Sequence, residues 1–323
     1  MLPAILRNLR LPAIGAPMFI VSGPELVIAQ CKAGIVGAFP SLNARPEEML
    51  GQWLEQIQNE LTQYKSDHPG EVVAPFAVNL IVHVSNQRLE ADLQTCIAHQ
   101  VPIIITSLRA LEPSIVDAVH AYGGLIFHDA ISIRHCEKAA EAGVDGLILV
   151  CAGAGGHGGP LSPFALLSEV KQWFEGTILL SGSITNGACV LSVQSMGADL
   201  AYIGTRFIAS KEANANPAHQ QMLVDCAASD IVYTSMFSGV HGNYLKPSIA
   251  NAGLDPENLP DGKKYRLKYI KEGSGRPDAW KDIWLAGQGL GSIASIDTVA
   301  EIVDRLEREY RQAWQSLNDT VRI

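Results

Sequence analysis

GLILVCAGAGGHGG, residues 146–159, is an apolar run that spills into five glycines and one histidine. Its reading decides between two α/β folds. Gly153, Gly155 and Gly158 spell G-x-G-x-x-G directly after a strand, the spacing of a dinucleotide-binding turn. Such a turn must open straight into a helix whose N-terminus faces a pyrophosphate, with a carboxylate about 20 residues on at the end of the next strand. Here Pro160 and Pro163 delay the helix, and the next strand ends in Ser181, Gly182 and Ser183. The loop therefore reads as the end of one stave of a parallel barrel. A doubly wound open sheet is the alternative.

Working outward, seven companion runs share the continuous apolar character of strands covered on both faces: AIGAPM (13–18), GIVGAFP (34–40), FAVNL (76–80), PIIITSL (102–108), GLIFHDA (124–130), TILLSGS (177–183) and LAYIGTRF (200–207). Helical patterns alternate with them: PELVIAQCKA, RPEEMLGQWLEQIQNELTQY, NQRLEADLQTCIAHQ, EPSIVDAVHAY, SIRHCEKAAEAG, SPFALLSEVKQWF and NGACVLSVQSMG. Several end at a glycine suited to a left-handed C-cap. Eight such units predict a (β/α)8 TIM barrel, a fold of typically ~250 residues. The barrel is expected over 1–210 and 281–323, the last part ending in the amphipathic helix DTVAEIVDRLEREYRQAWQSL. Residues 211–280 break the alternation and are expected to form a smaller inserted cap.

Composition narrows the function. A net charge of −9 with no basic run excludes a sequence-independent grip on nucleic acid or on an anionic membrane. No segment reaches the ~18 apolar residues of a membrane span, and the arginines and prolines of MLPAILRNLRLPAIGAPM interrupt any signal peptide, so a cytoplasmic location is expected. The six cysteines have neither C-x-x-C nor paired Cys/His spacing, so no metal site is expected. They read as small buried apolar residues, although Cys151 opens the glycine loop.

Barrel enzymes work at the C-terminal ends of their strands, and the polar residues of this sequence collect there. Asn79 and Ser107 close the third and fourth runs, His128 and Asp129 the fifth, His157 follows the sixth, Ser181 to Ser183 close the seventh, and Gly204 and Thr205 the eighth. Each alone has a bland reading: Asn79 and Ser107 as turn formers, His128 as a core histidine, Ser183 as a helix cap. Their coincidence on one rim favours a site. Strands seven and eight form the common phosphate corner of barrels, which uses backbone amides, so Gly182, Ser183, Gly204 and Thr205 are the expected phosphate cradle. On a loop stripped of other side chains, His157 is the one group able to act.

The segments GAPM, PFAVNL, AGAGGHGG, LLSGS, GADLAYIGTRF and AGQGLG together resemble the nitronate monooxygenase family, the former 2-nitropropane dioxygenases. The likeness spans about 11–210 and returns near 284–293. Its most specific pieces are A-G-G-H-x-G at Ala154–Gly159 and G-A-D-x-x-x-x-G-T-R-F at Gly197–Phe207. The resemblance implies FMN as cofactor, with Ala16, Pro17 and Met18 against the isoalloxazine and Asn79 bonded to it. It also implies Gln288 at its border, His128, Gly156 and Ser181 among its neighbours, and His157 as the catalytic histidine. Asp129 stands where some relatives carry lysine, which removes a cation from the flavin's surroundings. The implied reaction is oxidation of nitronates or nitroalkanes with O2. Related motifs occur in FMN-dependent NADH:quinone reductases and enoyl-acyl-carrier-protein reductases, so an NAD(P)H-dependent flavin reductase is the second expectation. A barrel that binds FMN or a phosphosugar without redox work is the third. The expected partners are a small-molecule substrate and O2, with NAD(P)H and a homodimer left open. In the cap, GVHGNYLKPS (239–248) offers Tyr244 and Lys246 as candidates for substrate contact.

Overall fold

Apolar strands that cannot leave either face in water must be wrapped by helices outside and must fill a common interior. A computed structural model, which describes residues 2–109, 111–259 and 282–320, shows this arrangement. Eight strands alternate with helices: β1 (Ala13–Gly15), α1 (Pro24–Lys32), β2 (Gly37–Pro40), α2 (Met49–Asp67), β3 (Phe76–Val82), α3 (Leu89–Ala98), β4 (Ile103–Leu108) and α4 (Pro113–His120) form one half. The other half is β5 (Leu125–Ala130), α5 (Ile133–Glu141), β6 (Gly146–Val150), α6 (Pro163–Val170), β7 (Thr177–Ser181), α7 (Gly187–Ser195), β8 (Leu200–Ile203) and the short α8 (Thr205–Ile208).

All neighbours pair in parallel, in the order β1-β8-β7-β6-β5-β4-β3-β2. A bridge between Ile14 and Val36, with Gly15 N–H donating to Val36 O at 2.7 Å, joins β1 to β2 and completes the ring. The fold is a (β/α)8 TIM barrel.

Alternation along each strand divides the core in two. Ile14, Ala77, Ile105, Phe127, Ile148, Leu179 and Leu200 fill the interior, and Leu6 from a turn of 3-10 helix (Ala4–Leu6) joins them. Val78, Ile104, Ile126, Leu147, Leu180 and Ala201 face outward against Leu54, Val119, Leu167 and Val190 of the helices. Four cysteines are buried and two half-buried, all unbridged. Burial pushes the Cys31 and Cys151 thiols up to about 12, so they pack as apolar groups.

Two boundaries differ from those expected. β1 stops at Gly15 because Ala16 N–H turns to Ile203 O and the chain folds into a turn in which Met18 N–H reaches Ser22 Oγ. α2 starts at Met49 rather than Arg45, since a residue before proline is disfavoured in helix.

Beyond α8 come α9 (Pro217–Asp225), an antiparallel hairpin of β9 (Ile231–Thr234) and β10 (Gly242–Leu245), and α10 (Lys246–Asn251). Of the expected cap, 260–280 lie outside the described residues. A C-terminal helix, Val299–Thr320, packs Val299, Ile302, Val303 and Leu306 into the outer core, and its Glu309 accepts from Gly187 N–H. No helix among the described residues is long and apolar enough to cross a membrane.

Candidate active site

Because Phe127 belongs to the interior and strand side chains alternate, Asp129 faces the barrel mouth and His128 faces the helices. His128 is 2% exposed, its Nδ1 lies 2.8 Å from Thr106 Oγ1, and burial pushes its pKa down to about 4, with His135 adding to the effect. This corrects the expectation that it borders the cofactor. It is a neutral core histidine behind the barrel wall. Asp129 takes the inward place, in company with Asn79, whose Nδ2 donates to Ser107 Oγ (3.2 Å) and Ile105 O (3.3 Å), and with Tyr202 from β8.

Three segments interlock over the ends of β6, β7 and β8. The glycine loop after β6 is held by Gln288 N–H donating to Gly153 O (2.9 Å), while Gly287 N–H donates to Thr205 Oγ1 (2.8 Å). Strand β10 then grips the same loop: Asn243 Nδ2 donates to Ala154 O at 2.6 Å and its N–H to Gly156 O at 3.1 Å. Gly155 must be glycine, because a Cβ there would lie 2.9 Å from Gly287 N and 3.1 Å from Thr205 Oγ1. Leu285 O accepts from His219 Nε2, whose ring stacks on Trp284.

His157 ends this loop, half-buried, with Nε2 2.7 Å from Ser238 Oγ in the hairpin. The Ser238 oxygen also lies 2.9 Å from Val240 O; with its hydroxyl donating there, it would accept from His157 Nε2–H. A neutral imidazole with its proton on Nε2 carries its basic lone pair on Nδ1. Burial lowers the His157 pKa and favours that neutral form.

The other expected residues fall into two groups. Ala16 and Met18 come within reach of Gly204, where a Cβ would lie 3.6 Å from Ala16 Cβ and 3.7 Å from Met18 Sδ; Pro17 sits between them, half-buried. Ser181, Gly182 and Ser183 border the glycine loop, the Ser183 hydroxyl bonding Gly153 O, and Gln288 is anchored beside them. Ser183 has φ of 56°, a left-handed conformation costing about 1–3 kcal/mol outside glycine. Of the two cap candidates, Tyr244 has its hydroxyl against Ser238, the partner of His157, whereas Lys246 is engaged by a carboxylate. The Tyr244 ring is 0% exposed in a cluster with Met236, Phe237 and Ile249, and Lys246 pairs with Glu257 at 2.8 Å. Arg206, in the middle of the phosphate motif, is also buried away from it, paired with Asp297 at 2.8 Å. Ser238 carries no sequence signal, and Asn243 is marked only by its glycine-bounded stretch.

Buried polar atoms around the site point to a polar ligand. Among the described residues Asp129 Oδ1, Tyr202 Oη and Asn243 Oδ1 are buried without a hydrogen-bond partner, a costly arrangement that a bound group would relieve.

Residues 6–309 match the family model described as nitronate monooxygenase. The chain belongs to the nitronate monooxygenase family. It is 23% identical to a nitronate monooxygenase of Paraburkholderia phytofirmans, over 95% of this chain and 94% of that one. Two solved structures share the fold of this family member: FabK from Thermotoga maritima (TM-score 0.79, 20% identity, 98% and 97% of the two chains) and a nitroalkane oxidase from Streptomyces ansochromogenes (TM-score 0.77, 21% identity, 98% and 100%). Nitronate monooxygenase family membership makes this protein an oxidoreductase of a flavoenzyme group.

Proposed function

We propose that this protein is an FMN-dependent nitronate monooxygenase that oxidises nitronates and small nitroalkanes with O2. The observation that carries the reading is His157 held by Ser238 at 2.7 Å, at the tip of the glycine loop that follows β6.

The residues present suit FMN. Gly182 and Ser183, with φ of 132° and 56°, follow β7, and the first turn of α8 adds the amides of Gly204 and Thr205. With Arg206 committed to Asp297, a phosphate at this corner would be held by amide dipoles and hydroxyls. Ala16, Pro17 and Met18 supply an apolar edge, Asn79, Ser181, Gly156 and Gln288 the polar border. When bound, FMN supplies the two-electron acceptor from which O2 is reduced.

His157 does the proton chemistry. Its imidazole removes the proton on the carbon next to the nitro group, the C–H electron pair moves into the nitro group, and the imidazolium so formed stabilises the nitronate. A preformed nitronate needs only the second role. Replacement His157→Ala should therefore leave FMN bound and lower kcat/KM for a neutral nitroalkane by about 10²–10⁴-fold, the usual weight of a general base. Oxygen uptake with preformed nitronate should fall far less. Equal activity on the neutral nitroalkane would remove His157 from this role. Anaerobic mixing separates the rival chemistry: bleaching by a nitronate supports the monooxygenase, whereas rapid bleaching by NADH or NADPH alone transfers the protein to the flavin reductases.

A further inference from the structure

The inner wall of the mouth contains one acidic side chain that the proposed chemistry does not use. Asp129 sits at the end of β5, facing inward, with Oδ1 sealed from water and without a hydrogen-bond donor, while part of the residue remains open to the mouth. Among the described residues no cation opposes it. The strands around it present Asn79, Ser107, Ile148, Val150 and Ser181, none of which ionises. Tyr202 on β8 is the titratable group that senses Asp129, and its own hydroxyl lacks a partner; His157 lies on the loop above, while His128 and His135 act behind the wall. A carboxylate so placed would be an uncompensated buried charge, which proteins avoid by keeping the proton.

We infer that Asp129 stands in the resting site as a neutral carboxylic acid and donates a hydrogen bond to the ring of the bound flavin, so that its ionisation switches cofactor affinity. The inference rests on the reading that FMN occupies the mouth. Burial pushes the Asp129 pKa up to about 7, which places the switch in the neutral range. As the neutral acid it adds a donor to a ring rich in acceptors. Ionised, it sets a negative charge against a ligand that is already anionic and that gains electron density on reduction.

The first test needs no cofactor. Infrared difference spectra of the apoprotein should show the carbonyl stretch of a protonated carboxyl at about pH 6, lost on raising the pH through the neutral range and missing from Asp129→Asn. The second titrates FMN. For the wild type the dissociation constant should rise roughly tenfold between about pH 6 and about pH 8, one pKa unit of differential interaction, with a matching shift in flavin absorbance. In Asp129→Asn the rise should be less than about twofold, and in His157→Ala it should persist. A missing carboxyl band in an apoprotein that still binds FMN overturns the inference, as does a pH dependence that survives Asp129→Asn. A band present in a protein that does not bind FMN overturns the reading of the site instead.

Discussion

His157 and Asp129 show how burial gives opposite instructions to a base and an acid. Desolvation disfavours charge in both, lowering the pKa of the imidazole and raising that of the carboxyl, so each is pushed toward its neutral form. For His157 the consequence is a base that stays active in mild acid. The rate on a neutral nitroalkane should climb with pH through a midpoint below 6.5, the ordinary imidazole value, and then level off, in a kcat/KM profile taken by oxygen uptake. Ser238→Ala should move that midpoint, because the hydroxyl 2.7 Å from the imidazole is gone. His157 was legible in the sequence since a lone reactive side chain among five glycines has few other uses. His128 was misread because proximity to a strand end does not say which face a side chain takes.

At the scale of elements, the glycine loop after β6 and the β9–β10 hairpin act as one unit. The hairpin's Asn243 supplies two hydrogen bonds to the loop, its Ser238 holds the His157 imidazole, and Tyr233 Oη donates to Gly158 O at 2.8 Å. Two adjacent glycines separate backbone conformation from close approach. Gly156 has φ of 72° and open space where a Cβ would go, whereas Gly155 faces backbone nitrogen at 2.9 Å. Gly156→Ala should therefore cost about 1 kcal/mol of stability and leave FMN binding within a few fold. Gly155→Ala must push the 286–288 segment off the loop and should weaken FMN at least tenfold, as read by flavin fluorescence titration. Equal effects of the two would contradict the interlocked arrangement. Little of this was visible beforehand: β9 and β10 are four residues each and mixed in polarity, with no period long enough to register.

The whole molecule answers acid through groups that the barrel hides. His128 and His219 are both pushed down to about 4 from 6.5, so as pH falls between those values the unfolded chain takes up protons that the folded one refuses. Stability is complete above about 6.5 and is lost toward 4, by up to about 3 kcal/mol for each histidine. Asp129 works in the opposite sense, since its raised pKa costs stability as pH rises from 3.8 to about 7. Thermal unfolding of the apoprotein should show a falling Tm from pH 6.5 to 4, and Asp129→Asn should steepen that fall. A Tm flat across this window would mean that neither histidine stays neutral in the folded state. The sequence by itself determined the barrel, because eight apolar runs separated by helices can cover both faces of each strand in very few ways, and that pattern is local. It also located the histidine and the small-residue corner, for which strand ends suffice. Only the tertiary structure decided which side chains look into the mouth and which pieces of chain build it. Asn243 meets Ala154 and Gly287 meets Thr205 across 89 and 82 residues, and hydrogen bonds between such distant points depend on register and closure, which no local pattern encodes.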